Sequence, residues 1–247
     1  MQPKYTIRPA TPQDAPHLAH INITAFEPTP FWRNLFPNLD RTATYPLKLA
    51  RTLTKLVDGG ASHLLVAADP ATGRVVGYAR WTLPGPSGPP SPSLSLADLP
   101  PEHAHLVTTF RRDGDAALPP GTNRTVHRHF WGELDRLKAK YLREGDFVLE
   151  FLATLPEAQG QGVASALLRW GLARADACNA RVYLEATAEG YPVYRKYGWR
   201  DLEVLELDFA ALGGRAERQR WVVMMREGPG GESLGGGGGG VGVGVKN

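Results

Sequence analysis

A chain of 247 residues, 42% hydrophobic and 21% charged, has the length and balance for one large globular domain with its own core. Its formal charge of +3 comes from scattered Lys and Arg, with no concentrated basic run, which speaks against a nucleic-acid partner. No apolar run approaches the roughly 18–20 residues that cross a bilayer, and MQPKYTIRPATPQDAP has no apolar signal segment, so no membrane association is expected and a cytoplasmic or nuclear setting is the default.

Tyr5–Arg8 alternates as a strand and runs into Thr11, Pro12 and Asp14, a cap, a favoured first residue and a dipole-matched acid for a helix with Leu18, Ile21 and Ala25 on one stripe. A second helix is expected from about Asp40 to Val57, stopping at Gly59-Gly60. His63–Ala68 and Arg74–Leu83 read as strands joined through Asp69–Gly73, a hairpin. From Pro84 to about Pro101 the chain is rich in Pro, Ser and Gly and reads as an irregular excursion. The interval 84–125 is taken as an insertion within a single domain spanning 1–227.

A helix resumes over His127–Leu142, with Phe130, Leu134, Leu137 and Tyr141 on its apolar side. His127 and His129 diverge on a helix, and only one cysteine is present, so no metal site is expected. That cysteine, Cys178, reads as a small buried side chain. The remaining elements are a strand over Phe147–Thr154, a helix over Gln161–Cys178, a strand over Arg181–Ala186, a short helix over Tyr191–Tyr197, and strands over Val204–Phe209 and Arg220–Met225. Residues 228–247 are too poor in side chains to bury anything and are expected to be a disordered Gly-rich tail.

The segment Leu149–Leu168 combines a strand, a glycine-containing turn and a helix start. Such a turn directs successive main-chain N–H groups into one hollow at the positive end of a helix, a place suited to a diphosphate. A nucleoside-triphosphate loop would need a Gly-Lys-Ser/Thr ending that is missing. A dinucleotide fingerprint, Gly160-x-Gly162-x-x-Ser165 with Glu185 about twenty residues on, is nearer, but it sits late in the chain and ends in Ser. The best fit is Gln159-x-x-Gly162-x-Ala164. It resembles the diphosphate loop of the GNAT superfamily of acetyl-CoA-dependent N-acetyltransferases, with Pro156-Glu157 before it and Tyr194-Arg-Lys196-Tyr-Gly198-Trp199 similar to that family's Y-x-K-x-G-F signature. The opening Ile7–Asp14 and Gly77–Trp81 also resemble that family, so the likeness spans most of 5–226, strongest over 147–200, with 84–125 and the tail outside it.

The resemblance implies an α/β (α+β) fold: a mixed, mostly antiparallel sheet of about seven strands, flanked by helices and splayed between the fourth and fifth. It implies acetyl-CoA as co-substrate, with its diphosphate on the amides of Gln161, Gly162, Val163, Ala164 and Ser165 and with Gln159 and Gly160 shaping the loop. Its pantetheine would bond the main chain of Leu152, Ala153 and Thr154. Tyr194 matches the general-acid position. Glu150 is the candidate base or substrate anchor, or else a structural partner for an Arg; plain alternation puts it on a face with Leu152 and Thr154, away from Phe151. Glu185 is a second candidate. Arg195 and Lys196 are candidates for phosphate contacts, and Trp81, Tyr191 and Trp131 for lining the amine pocket. The expected activity is acetyl transfer to a primary amine of an unidentified acceptor. The alternatives are a CoA-binding module without catalysis and a dinucleotide-dependent oxidoreductase. Oligomeric state is not read from the sequence.

Overall fold

The computed structural model describes residues 4–57, 60, 62–84 and 94–230. Its strands are β1 (Thr6–Pro9), β2 (Ser62–Ala68), β3 (Val75–Thr82), β4 (Phe147–Thr154), β5 (Val182–Ala186), β6 (Arg200–Asp208) and β7 (Arg218–Arg226). Its helices are α1 (Ala15–Phe26), α2 (Pro30–Leu35), α3 (Arg41–Val57), α4 (Pro101–Asp113), α5 (Arg124–Tyr141), α6 (Val163–Ala177) and α7 (Tyr191–Lys196). The strands form one sheet in the order β1-β2-β3-β4-β5-β7-β6, antiparallel at every junction except β4 against β5. This is the mixed, mostly antiparallel sheet expected. It is not a doubly wound parallel sheet, so the dinucleotide reading lacks its frame.

Alternation along the strands sends side chains to two faces. On the first face α6 and α7 close over Trp81, Phe147, Leu149, Leu184 and Met224. Here α6 lies close because Gly171 rests on the indole of Trp81, where a Cβ would fall inside the ring. On the second face, α1, α3 and α4 cover Val66, Tyr78 and Ala153, while α2 and α5 cover Val148, Tyr183 and Trp221.

Several expectations are corrected. Within the interval 84–125, α4 follows the Pro-rich stretch and buries Val107 in the second-face core; residues 85–93 of that stretch fall outside those described. Pro100-Pro101, read as loop, instead starts this helix, since proline at the first helical residue gives up only an N–H that has no partner there. The short α2, opened by Thr29 and Pro30, carried no recognised signal. The α5 helix begins at Arg124, where Asn123 Oδ1 accepts from the amides of Thr125 and Val126, both at 3.1 Å, a cap worth about 1 kcal/mol. Strand β6 starts four residues before Val204, at Arg200; as an edge strand it needs no apolar alternation there. Cys178 is exposed at the end of α6, not buried. The Gly-rich tail lies outside the described residues from 231 onward.

Candidate functional site

The site begins where β4 parts from β5. These strands pair only at Phe147 with Val182 and at Val148 with Tyr183. Below that point the fork is pinned: the Phe147 amide donates to the Arg181 carbonyl at 2.9 Å, and the Arg181 guanidinium grips Asp146 through Nε at 2.9 Å and Nη2 at 2.5 Å. Above it, β4 continues to Thr154 against β3 alone and β5 continues to Ala186 against β7 alone. One edge of β4 therefore lies open inside the sheet.

Which groups it presents follows from one bond. The Leu155 amide donates to the Val76 carbonyl at 2.9 Å, so Leu155 and, two residues back, Ala153 turn their main chain toward β3. Leu152 and Thr154 turn theirs to the open edge. Of the three residues expected to present backbone there, Leu152 and Thr154 do so and Ala153 does not.

The end of β4 leads through a turn at Pro156–Ala158 to Gln159 and two glycines in the left-handed region, Gly160 at φ 69° and Gly162 at φ 85°. Gly162 directly precedes α6, and no side chain caps that helix. The first main-chain bond into it is Ala166 N–H to the Gly162 carbonyl at 2.9 Å, so the amides of Val163, Ala164 and Ser165 lie in the uncapped first turn. A Cβ on either glycine would meet nothing within 4 Å. The loop thus borders open space at the positive end of a 15-residue helix, an arrangement that fits a diphosphate. Gln161 braces the loop from outside: its Nε2 donates to the Glu157 carbonyl at 2.6 Å and its Oε1 accepts from the Tyr5 hydroxyl at 2.9 Å.

Glu150 does not sit where alternation predicts. Arg80 lies opposite Phe151 and Trp81 opposite Leu149, so Glu150 is an extra residue on β4 without a partner on β3, a β-bulge. The inserted residue switches the phase of the strand. Leu149 and Leu152 pack with the first-face core, and Phe151 and Ala153 with the second. Glu150 accompanies Phe151, not Leu152, and there accepts from Arg80 Nη2 at 2.9 Å and Thr82 Oγ1 at 3.1 Å, with Lys138 Nζ at 4.0 Å. Burial opposes its ionisation, but the charges of Arg80 and Lys138 and these bonds hold its carboxyl below the ordinary value.

Glu185, on the same face of β5, behaves oppositely. Burial raises its carboxyl pKa, the negative charge of Glu150 adds to the effect, and Lys138 offsets only part of it. Among the described residues its Oε1 and the neighbouring Tyr183 hydroxyl are buried without a well-formed hydrogen bond, although each group perturbs the other's ionisation. The two carboxyls are thus driven apart in acidity: Glu150 is the ionised, fully occupied one and Glu185 the better proton acceptor.

On the first face, Tyr194 is 8% exposed, edge-on to Trp199 at 5.8 Å between ring centres and packed against Gly190. Burial raises its phenol, which therefore stays protonated through the neutral range. Arg195 is tied to the Trp199 carbonyl at 3.4 Å and Asp201 at 3.6 Å, which turns it toward β6, whereas Lys196 is exposed. Trp81 is wholly buried beneath α6 and lines no pocket. Tyr191 donates its hydroxyl to Asp201 at 3.0 Å, and Trp131 is 39% exposed on α5. Among the described residues no group of three metal-ligating side chains could hold an ion, and no helix is long and apolar enough to cross a membrane.

Comparison with known proteins agrees with this geometry. Residues 139–209, which hold the fork, the loop and Tyr194, match the model of the acetyltransferase (GNAT) domain. A search of curated proteins returns no match. Among solved structures, a histone acetyltransferase HPA2 and related acetyltransferase from Corynebacterium glutamicum is similar at a TM-score of 0.58 and 23% identity, over 94% of this chain and 100% of that one. A polyamine N-acetyltransferase of Drosophila melanogaster is similar at a TM-score of 0.55 and 12% identity, over 90% and 99%. At these identities the likeness is one of fold. Residues 139–209 thus match the acetyltransferase (GNAT) domain, and the fold around them is the one these acetyltransferase structures share.

Proposed function

We propose that the chain transfers acetyl from acetyl-CoA directly to a primary amine. The observation that carries this reading is the fork itself: an open strand edge at Leu152 and Thr154 ends in an uncapped glycine turn, a main-chain track for pantetheine running into a diphosphate hollow. When bound, acetyl-CoA supplies the thioester carbonyl. The residues around it divide the remaining work. Leu152 N–H on the open edge is the donor for charge developing on the carbonyl oxygen. Glu185, on the second face, takes the proton that the amine loses as the C–N bond forms. Tyr194, on the first face, gives a proton to the sulfur as the C–S bond breaks. Glu150, held ionised, orients Arg80 and Lys138 and is not the base.

Titration calorimetry with CoA, NADPH beside it, and a thiol-release assay over an amine panel test the reading. CoA binding with release dependent on amine is expected. Binding without turnover on any amine would leave a CoA-binding module, and preference for NADPH would end the transferase reading. Tyr194→Phe is expected to lower kcat by about ten- to a hundredfold with CoA affinity unchanged, since the ring packing survives and only the proton donor is lost. An equal kcat would remove Tyr194 from the chemistry.

A further inference from the structure

The second face carries a group of cations that acyl transfer does not use. Lys48 and Arg51 stand one turn apart on α3, half-buried among aromatic rings. Lys48 Nζ lies 4.5 Å from the ring centre of Trp32 and 5.5 Å from that of Phe36. The Arg51 guanidinium lies 5.9 Å from the ring centre of Phe110 and 5.8 Å from that of Trp131, and its Nη2 is 3.3 Å from His127 Nε2. Among the described residues neither cation has a carboxylate within ion-pair distance. The acid that reaches this group is the exposed Asp115, 3.8 Å from His127 Nδ1. Arg80 adds positive charge toward Arg51, and its own Nε is buried without a partner.

Half-buried cations without an ion-pair partner are costly: Asp115 offsets part of the cost at Arg51, and the strain is visible in Lys48, whose ammonium is pushed down to about 7 by burial and by Arg51 beside it. Both side chains keep some solvent contact, so an outside charge can reach them. Arg80 ties this cation group to the fork: it is paired with Glu150, and its charge acts on Arg51. Along the second face the order is therefore acid at Glu185 and Glu150, then Arg80, then Arg51 and Lys48.

We infer that the acceptor is a zwitterionic amine of the amino-acid type, its amine end received by Glu185 at the fork and its anionic end, carboxylate or phosphonate, held by Arg51 and Lys48. The inference rests on the acyl-transfer reading of the fork. A diamine of similar length would bring a second positive charge against Arg51 and Lys48, and a plain alkylamine would leave both without a counter-ion.

The test is calorimetric titration of the CoA-loaded protein with 4-aminobutanoate, 3-aminopropylphosphonate, butylamine and 1,4-diaminobutane. One or both of the anionic probes are expected to bind at least about tenfold more tightly than butylamine, with the diamine weakest, and the stronger of the two identifies the anion class. Arg51→Gln and Lys48→Met are each expected to weaken the anionic probe about tenfold or more while CoA affinity holds. These variants keep the fold, because each deletes an uncompensated charge. The folded-state pKa of Lys48 is depressed, so its contribution to stability is present above its ordinary value near 10.5 and lost as pH falls toward 7. Lys48→Met is therefore expected to melt higher than wild type at pH 7, with the gap closing toward pH 10. Tighter binding of diamine than of both anionic probes, or anionic binding unaltered in both variants, would overturn the inference. Failure of CoA itself to bind would instead overturn the transferase reading, and the probes titrated into CoA-free protein would still report on Arg51 and Lys48.

Discussion

Gly162→Val is expected to weaken CoA binding by a hundredfold or more and to do so without unfolding the domain. At φ 85° the residue lies where a β-branched side chain is strained by roughly 1–2 kcal/mol, a cost a domain of this size tolerates. The larger effect is on the hollow. No atom lies within 4 Å of the place a Cβ would occupy, so an added side chain projects into open space directly beside the amides that follow it, those of Val163, Ala164 and Ser165. Relief of the strain would move those amides, and their convergence is what an anion requires. Calorimetry with CoA, beside a circular-dichroism spectrum to confirm the fold, reads the result. Wild-type affinity in the Val variant would mean that the diphosphate rests elsewhere.

The second large effect is expected at Glu185. Replacing it by Gln keeps shape and removes the proton acceptor, so kcat/KM should fall by about two orders of magnitude and the acidic limb of its pH profile should flatten. Glu150→Gln should instead keep that limb but move it to lower pH, because the charge that helps raise Glu185 is gone. Stability moves the opposite way to activity in Glu185→Gln. The folded-state pKa of Glu185 is raised by burial, so the carboxyl contributes its full stabilisation below its ordinary value and loses it as pH climbs through the folded value. Above that point the Gln variant, which ionises nowhere, should melt higher than wild type. An acid limb that persists in Glu185→Gln and vanishes in Glu150→Gln would exchange their roles.

What was legible in the chain follows from the range of the interactions that set it. The bounds of β4, the neighbouring β5 and α6, and the hairpin of β2 and β3 are written in local alternation and turn chemistry, and they appear close to where they were expected. The glycine turn was equally plain, because positive φ and close helix entry are local demands. The face of Glu150 was not, because the bulge is a property of pairing: only the offset of Arg80 and Trp81 on β3 reveals the extra residue on β4. The contrast between Glu150 and Glu185 depends on Lys138 and Arg80, which arrive from α5 and β3. The cation group gathers Lys48 and Arg51 of α3, Arg80 of β3 and His127 of α5 on one face and leaves no spacing in the sequence. Proline hid α4, since Pro100-Pro101 serves a loop and a helix start equally well.

The bulge at Glu150 makes one strand speak to two clients. On the proposed reading its edge and one flank serve the donor and its other flank the recipient, with a single inserted residue between them. Substitutions at Arg51 or Lys48, which belong to neither the open edge nor the glycine turn, are then expected to redirect what is acylated while the thioester chemistry stays in place.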